Sequence, residues 1–180
     1  MTQTRLVVVD MQRAFRDAGQ WQVPRYGEIV PVINQLQENI GPTTVFTRFV
    51  RDPQETGGWS AYYRRWDQMR FPPESGAWDI TMDVPSTATV VDAPTFSKWG
   101  SELADLVPVG SEMVLTGVAT DCCVLSTALG AVDAGRFVTV ISDACAAVSD
   151  EAQEQSFALL RLLSPLCEVL TSEQFFNRGA

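Results

Sequence analysis

The sequence predicts an α/β domain built on a parallel, helix-covered sheet, and three observations carry that expectation. Leu6-Val7-Val8-Val9 is a continuous apolar, β-branched run, the pattern of a strand buried on both faces. Strand-like runs then alternate with helical ones to the end of the chain. The first two strands and the helix between them form a β-α-β unit, which favours a right-handed crossover. A chain of 180 residues without repeats or low-complexity linkers is the length of one domain, read here as 1–180.

Each element follows from local pattern. The first strand ends at Asp10. In open parallel sheets ligands bind beyond the carboxyl ends of strands, so Asp10 is a candidate site residue. Asp is also common at helix starts, and that reading stands beside the first. Met11, Gln12 and Phe15 follow directly and are placed to line the same mouth. Ile29, Val30, Ile33, Leu36 and Ile40 recur at three- and four-residue steps, predicting an amphipathic helix from Tyr26 to Asn39 that stops at Gly41-Pro42. Thr43 to Thr47 reads as the second strand, ending at Arg48.

Arg48 to Pro85 breaks the alternation. It holds Trp59, Tyr62, Tyr63, Trp66, Phe71 and Trp78 among Arg51, Arg64, Arg65 and Arg70, with a short helix expected over Ser60–Met69. Long irregular stretches in compact domains are often binding loops. Trp59, Tyr63 and Arg48 are therefore candidates to touch a substrate. Aromatic and arginine enrichment also marks subunit interfaces, and both readings stay open. Thr89-Val90-Val91 is the third strand. A loop through Ala93–Gly100 carries Lys98, placed to point into a pocket, beside Trp99, a further candidate to touch a substrate, and Glu102–Val107 is a short helix. Met113–Leu115 is the fourth strand. Phe137–Ile141 is the fifth, ending at Asp143. Ser149 or Asp150 caps the next helix, which stops at Ser164-Pro165. Cys167–Leu170 is the sixth strand, and Thr171-Ser172-Glu173 opens a closing helical turn.

Composition narrows the function. The formal net charge of −9 argues against nucleic acid, which needs clustered Lys and Arg. No apolar run approaches the about 18 residues of a membrane helix, and the first strand is too short for a signal peptide, so a cytoplasmic protein with no membrane partner is expected. The four cysteines, Cys122, Cys123, Cys145 and Cys167, show no zinc spacing and are read as reduced. There is no histidine, which removes histidine-based triads and histidine-ligated metals. Lys98 is the sole lysine and hence the sole titratable side-chain amine.

The central stretch is Leu115-Thr116-Gly117-Val118-Ala119-Thr120-Asp121-Cys122-Cys123-Val124. A strand turns at Gly117 into a helix predicted from Cys122 to Ala134. Unpaired N–H groups at a helix start favour negative charge and could hold an oxyanion. A thiol there is expected to have a lowered pKa. A buried cysteine acting as small apolar filler is the alternative.

These residues resemble the isochorismatase-like cysteine hydrolases, which include nicotinamidases, N-carbamoylsarcosine amidases and ureidoacrylate amidohydrolases. The resemblance rests on Val8-Val9-Asp10-Met11-Gln12 with Phe15, on Thr116-Gly117-Val118-Ala119-Thr120-Asp121-Cys122-Cys123-Val124-Leu125-Ser126-Thr127-Ala128, and on Val140-Ile141-Ser142-Asp143-Ala144-Cys145-Ala146. It implies a three-layer, Rossmann-like fold around six parallel strands. It implies an Asp-Lys-Cys triad of Asp10, Lys98 and Cys123, a cis peptide at Val118-Ala119, and an oxyanion hole from the N–H groups of Ala119 and Cys123. Many members carry the lysine where Ala93 stands, so Lys98 has to reach the site from a shifted backbone position.

The implied activity is hydrolysis of a small amide or carbamoyl substrate through a thioester. The alternatives are vinyl ether hydrolysis using the aspartate alone, and a non-catalytic binding protein on the same fold. No cofactor is implied. The histidine-held metal of nicotinamidases has no ligands here. The partners expected are a small-molecule substrate and a second copy in a dimer or tetramer.

Overall fold

A computed structural model describes residues 4–41 and 43–179. Six strands form one sheet: β1 (Thr4–Val9), β2 (Val45–Phe49), β3 (Thr89–Ala93), β4 (Glu112–Val118), β5 (Phe137–Ala146) and β6 (Cys167–Leu170). Their order is β3-β2-β1-β4-β5-β6, and every pair is parallel. The chain winds outward from β1 to β3, then returns to the other side of β1 with β4. The order therefore reverses between β1 and β4, and a crevice opens there at the strands' carboxyl ends.

The sheet is buried on both faces, as the continuous apolar runs require. Leu6, Val8, Phe46 and Val114 pack on one face with α2 (Tyr26–Ile40), α1 (Arg13–Arg16) and α3 (Gly57–Arg65). Val7, Val9, Val45, Met113 and Leu115 pack on the other with α4 (Ser101–Leu106), α5 (Leu125–Asp133) and α6 (Asp150–Arg161). α7 (Ser172–Phe176) closes the chain on the first face. This is the three-layer α/β architecture expected from the sequence.

Several boundaries differ from the sequence reading, each for a local reason. β2 lies two residues later than expected, because Val45–Phe49 are the residues that pair with β3. β5 runs past Asp143 to Ala146. Its pairing with β4 jumps from Leu115↔Val140 to Gly117↔Cys145, leaving Ser142 to donate to the Leu170 carbonyl of β6 and Asp143 to bind the start of α7. Asp143 accepts hydrogen bonds from the Ser172 N–H at 2.7 Å and the Ser172 hydroxyl at 2.6 Å. The helix expected over 60–69 is α3 followed by a 3-10 turn at Asp67–Met69. Of the two caps considered for α6, Ser149 holds the Ala152 N–H. Gly41 ends α2 at φ 101°, whereas Pro42 lies outside the described residues.

Gly117 of β4 packs directly against Val9 of β1. Its φ is +105°, and a Cβ there would sit 2.1 Å from the Val9 carbonyl oxygen. Only glycine permits both the backbone conformation and the approach. This contact brings the ends of β1 and β4, and so Asp10 and the Val118–Val124 loop, side by side.

Candidate active site

Asp10 follows β1 directly, is fully buried and adopts φ 50°. Its N–H donates to the Thr47 carbonyl at 3.2 Å and to the Thr47 hydroxyl at 3.3 Å. The same hydroxyl donates to Asp10 Oδ1 at 2.7 Å. Thr47 thus fixes the carboxylate from the neighbouring strand. Asp10 Oδ2 lies 3.0 Å from Lys98 Nζ, and neither side chain has exposed surface. The two side chains form an ion pair shut off from solvent.

Lys98 comes from the loop after β3, and α5 holds that loop. The Lys98 N–H donates to the Thr127 hydroxyl at 2.8 Å. Gly130, one turn further on, leaves room for Trp99: a Cβ there would lie 2.9 Å from Trp99 Cβ. Nζ donates to the Thr95 carbonyl at 2.7 Å and sits 4.6 Å from the centre of the Phe49 ring. The ammonium is thus fully committed to Asp10, Thr95 and Phe49.

The Val118-Ala119 peptide is cis. Thr120–Val124 then form a π-turn ahead of α5, so the helix begins later than periodicity suggested. The Ala119 carbonyl accepts from the N–H groups of Cys122 at 3.0 Å and Val124 at 3.1 Å, skipping that of Cys123. Gln153 of α6 anchors the turn. It accepts from the Thr120 hydroxyl at 2.9 Å and donates to the Cys145 carbonyl at 2.9 Å, all in buried surroundings.

Cys123 is buried and Cys122 is half-buried, and both line one cavity of about 180 Å³. The Cys123 thiol is held well above its ordinary pKa. The hydrogen bond with Cys122 is the largest cause, followed by burial and the Asp10 carboxylate; Lys98 offsets these only in part. The lowered pKa expected from a helix start is therefore not found. The hydrogen bond with Cys122, desolvation and a neighbouring carboxylate outweigh the dipole of a helix that starts two residues later.

The cavity wall is aromatic: Phe15, Trp21, Phe49, Tyr62, Trp66 and Phe96. Of the substrate-binding candidates named from sequence, Phe15 lines it. The other five do not. Gln12 is fully buried and clamps the backbone, donating to the Phe49 and Trp78 carbonyls and accepting from the Phe49 N–H. Arg48 faces its cross-strand partner Asp92 in a two-pronged ion pair at 2.6 and 2.7 Å. Trp59 and Tyr63 stand behind the wall, with Trp59 packed on Phe96 and Tyr63 under Arg51. Trp99 docks on α5 beneath the Arg136 guanidinium.

Trp21, Thr47, Thr127 and Gln153 were not singled out from the sequence. Thr127 carried a signal, since it stands four residues after Cys123 on a helical stretch. The other three are brought in by tertiary contact alone.

The residues do not fit a metal. The sequence holds no histidine, and among the described residues no group of three or more His, Cys, Asp or Glu is placed to hold one. Among the described residues no helix is long and apolar enough to cross a membrane.

A family model described as the Isochorismatase domain matches residues 4–174. Solved structures show the same fold. A cysteine hydrolase from Pseudomonas syringae pv. phaseolicola has a TM-score of 0.82 at 22% identity, covering 98% of this chain and 92% of that one. An isochorismatase-like hydrolase from Alkaliphilus metalliredigens has a TM-score of 0.83 at 20% identity, covering 99% and 100%. The pyrazinamidase of Pyrococcus horikoshii, in complex with zinc, has a TM-score of 0.76 at 23% identity, covering 94% and 99%. No curated protein matches.

Proposed function

The chain belongs to the isochorismatase family of hydrolases, and from that membership we propose that it is a cysteine-dependent hydrolase of a small amide or carbamoyl substrate, acting through a thioester on Cys123. The observation that carries the reading is the buried Asp10–Lys98 pair, 3.0 Å apart, whose opposite charges both act on the buried Cys123 thiol.

The raised pKa sets the order of events. The resting thiol is neutral, so attack on the carbonyl carbon proceeds as Asp10 Oδ2 takes the thiol proton. Lys98 sets its positive charge against the Asp10 carboxylate and has no spare hydrogen-bonding role to play with substrate. The carbonyl oxygen, gaining negative charge, is met by the N–H groups of Ala119 and Cys123; a donor so placed is worth about 3–4 kcal/mol of barrier. Asp10 then gives its proton to the leaving nitrogen as the C–N bond breaks, which leaves a thioester and an ionised carboxylate. In the second half Asp10 takes a proton from water as it attacks the thioester. The proton returns to sulfur, and the acid leaves. The small cavity limits the substrate to a few heavy atoms beyond the amide, since drug-sized ligands need roughly 300–1,000 Å³.

The test is turnover on a panel of small primary amides, followed by ammonia release. Cys123→Ala is expected to abolish it and Cys122→Ala to retain it. Retention in Cys123→Ala would overturn the nucleophile and point to chemistry that uses Asp10 alone.

A further inference from the structure

We propose that the cavity takes amides whose non-reacting end is a compact apolar cation, such as a methylated ammonium, and turns away carboxylates. This rests on the amidohydrolase reading for the position of the amide, and it names the rest of the substrate.

The lining decides the sign. Among the described residues no lysine or arginine lines the cavity, and the one charged residue that does is Asp121. The cations nearby are already committed. Lys98 is buried against Asp10 and the Thr95 carbonyl. Arg51 and Arg70 share Glu55 at 2.6 and 2.8 Å, Arg48 holds Asp92, and Arg65 stacks on Trp66 at 5.0 Å. A substrate carboxylate would lose its hydration and find no counter-charge, which is costly in an apolar pocket.

A cation meets the opposite situation. Trp21, Tyr62, Trp66 and Phe96 form a continuous wall, with Tyr62 5.9, 6.2 and 5.4 Å from Trp21, Trp66 and Phe96. Aromatic faces attract cations through their quadrupole, and cages of them recognise methylated ammonium groups. Asp121 adds a formal negative charge at the same wall. Only its Oδ1 is engaged, accepting from the Val148 N–H at 3.2 Å. The net charge of −9 raises the local concentration of cations further.

Three amides isolate the charge. Betaine amide carries a trimethylammonium group. 3,3-Dimethylbutanamide is its uncharged isostere. Malonamate places a carboxylate there instead. Binding to Cys123→Ala is followed by calorimetry and by quenching of Trp21 and Trp66, so it does not depend on turnover. Betaine amide is expected to bind at least tenfold more tightly than 3,3-dimethylbutanamide, with malonamate weaker than both. Asp121→Asn keeps an acceptor for the Val148 N–H and is expected to reduce the cation preference to about threefold. Malonamate binding best, equal binding of the isosteres, or binding of none of the three would overturn the proposal. Ammonia release by the wild type is scored separately. Cation preference without turnover would remove the hydrolase reading and leave the cation subsite standing.

Discussion

Lys98 Nζ and Asp10 Oδ2 lie 3.0 Å apart with no exposed surface on either side chain, joined across the loop after β3 and the end of β1. Taking two charges out of water is costly, and removing one partner leaves the other uncompensated. Lys98→Met is therefore expected to cost about 3–5 kcal/mol of stability as well as activity. Asp10→Asn combined with Lys98→Met is expected to recover much of that stability and none of the turnover. Urea unfolding of the single and double variants measures it. Additive losses would show that the two charges do not depend on each other.

Gln153 ties the π-turn to β5 through its bonds to Thr120 and the Cys145 carbonyl. Gln153→Leu preserves bulk and removes both. Turnover is expected to fall roughly 10–100-fold with KM little changed, because the loss is of alignment. Thr120→Ser should keep the wild-type rate and Thr120→Val should not. Equal effects of Ser and Val at position 120 would deny the hydroxyl its positioning role.

Gly117 has no room for a side chain against Val9. Gly117→Ala is expected to cost more than about 4 kcal/mol or to prevent folding, since the obstacle is backbone. A soluble variant with an unchanged melting temperature would show that β1 and β4 can part there.

The thiols set an alkaline limit. Burial pushes Cys145 far above its ordinary pKa, and burial followed by Glu168 pushes Cys167 up to about 12. Below about pH 8.5 the folded and unfolded chains both keep these protons, and their contribution is fully present. Above it the unfolded chain loses them while the fold retains them, so stability falls as pH rises toward the folded values. Burial raises Tyr26 in the same direction. Melting temperatures are expected to decline from about pH 9 upward, less steeply in Cys145→Ala. By the same logic Cys123 should alkylate slowly at neutral pH and faster as pH rises, after the half-buried Cys122.

Much of this was legible in the chain itself. Alternating runs gave the layers, because strands covered on both faces must be apolar throughout. Asp10 stood out because it follows the end of β1, and Cys123 because it lies in the strand-to-helix turn after β4. Lys98 followed from its being the sole lysine, and its shifted register is absorbed by docking on Thr127 and Gly130. The cavity wall was harder to read. Tyr62 and Trp66 face the cavity, while Trp59 and Tyr63, on an adjacent stripe of the same helical segment, stand behind it. Both pairs have four-residue spacing, so periodicity cannot choose between them. Arg48 illustrates a second limit: moving β2 by two residues placed it opposite Asp92. The Cys123 pKa was missed because the hydrogen bond with Cys122, desolvation and the Asp10 charge arise only on folding.

The most direct measurement is acid-quenched intact-mass analysis during turnover of an accepted amide, with peptide mapping of the adduct. The expected result is an acyl increment on Cys123 in the wild type, with neither the increment nor ammonia release in Cys123→Ala. Ammonia release without any increment, persisting in Cys123→Ala, would contradict the thioester mechanism.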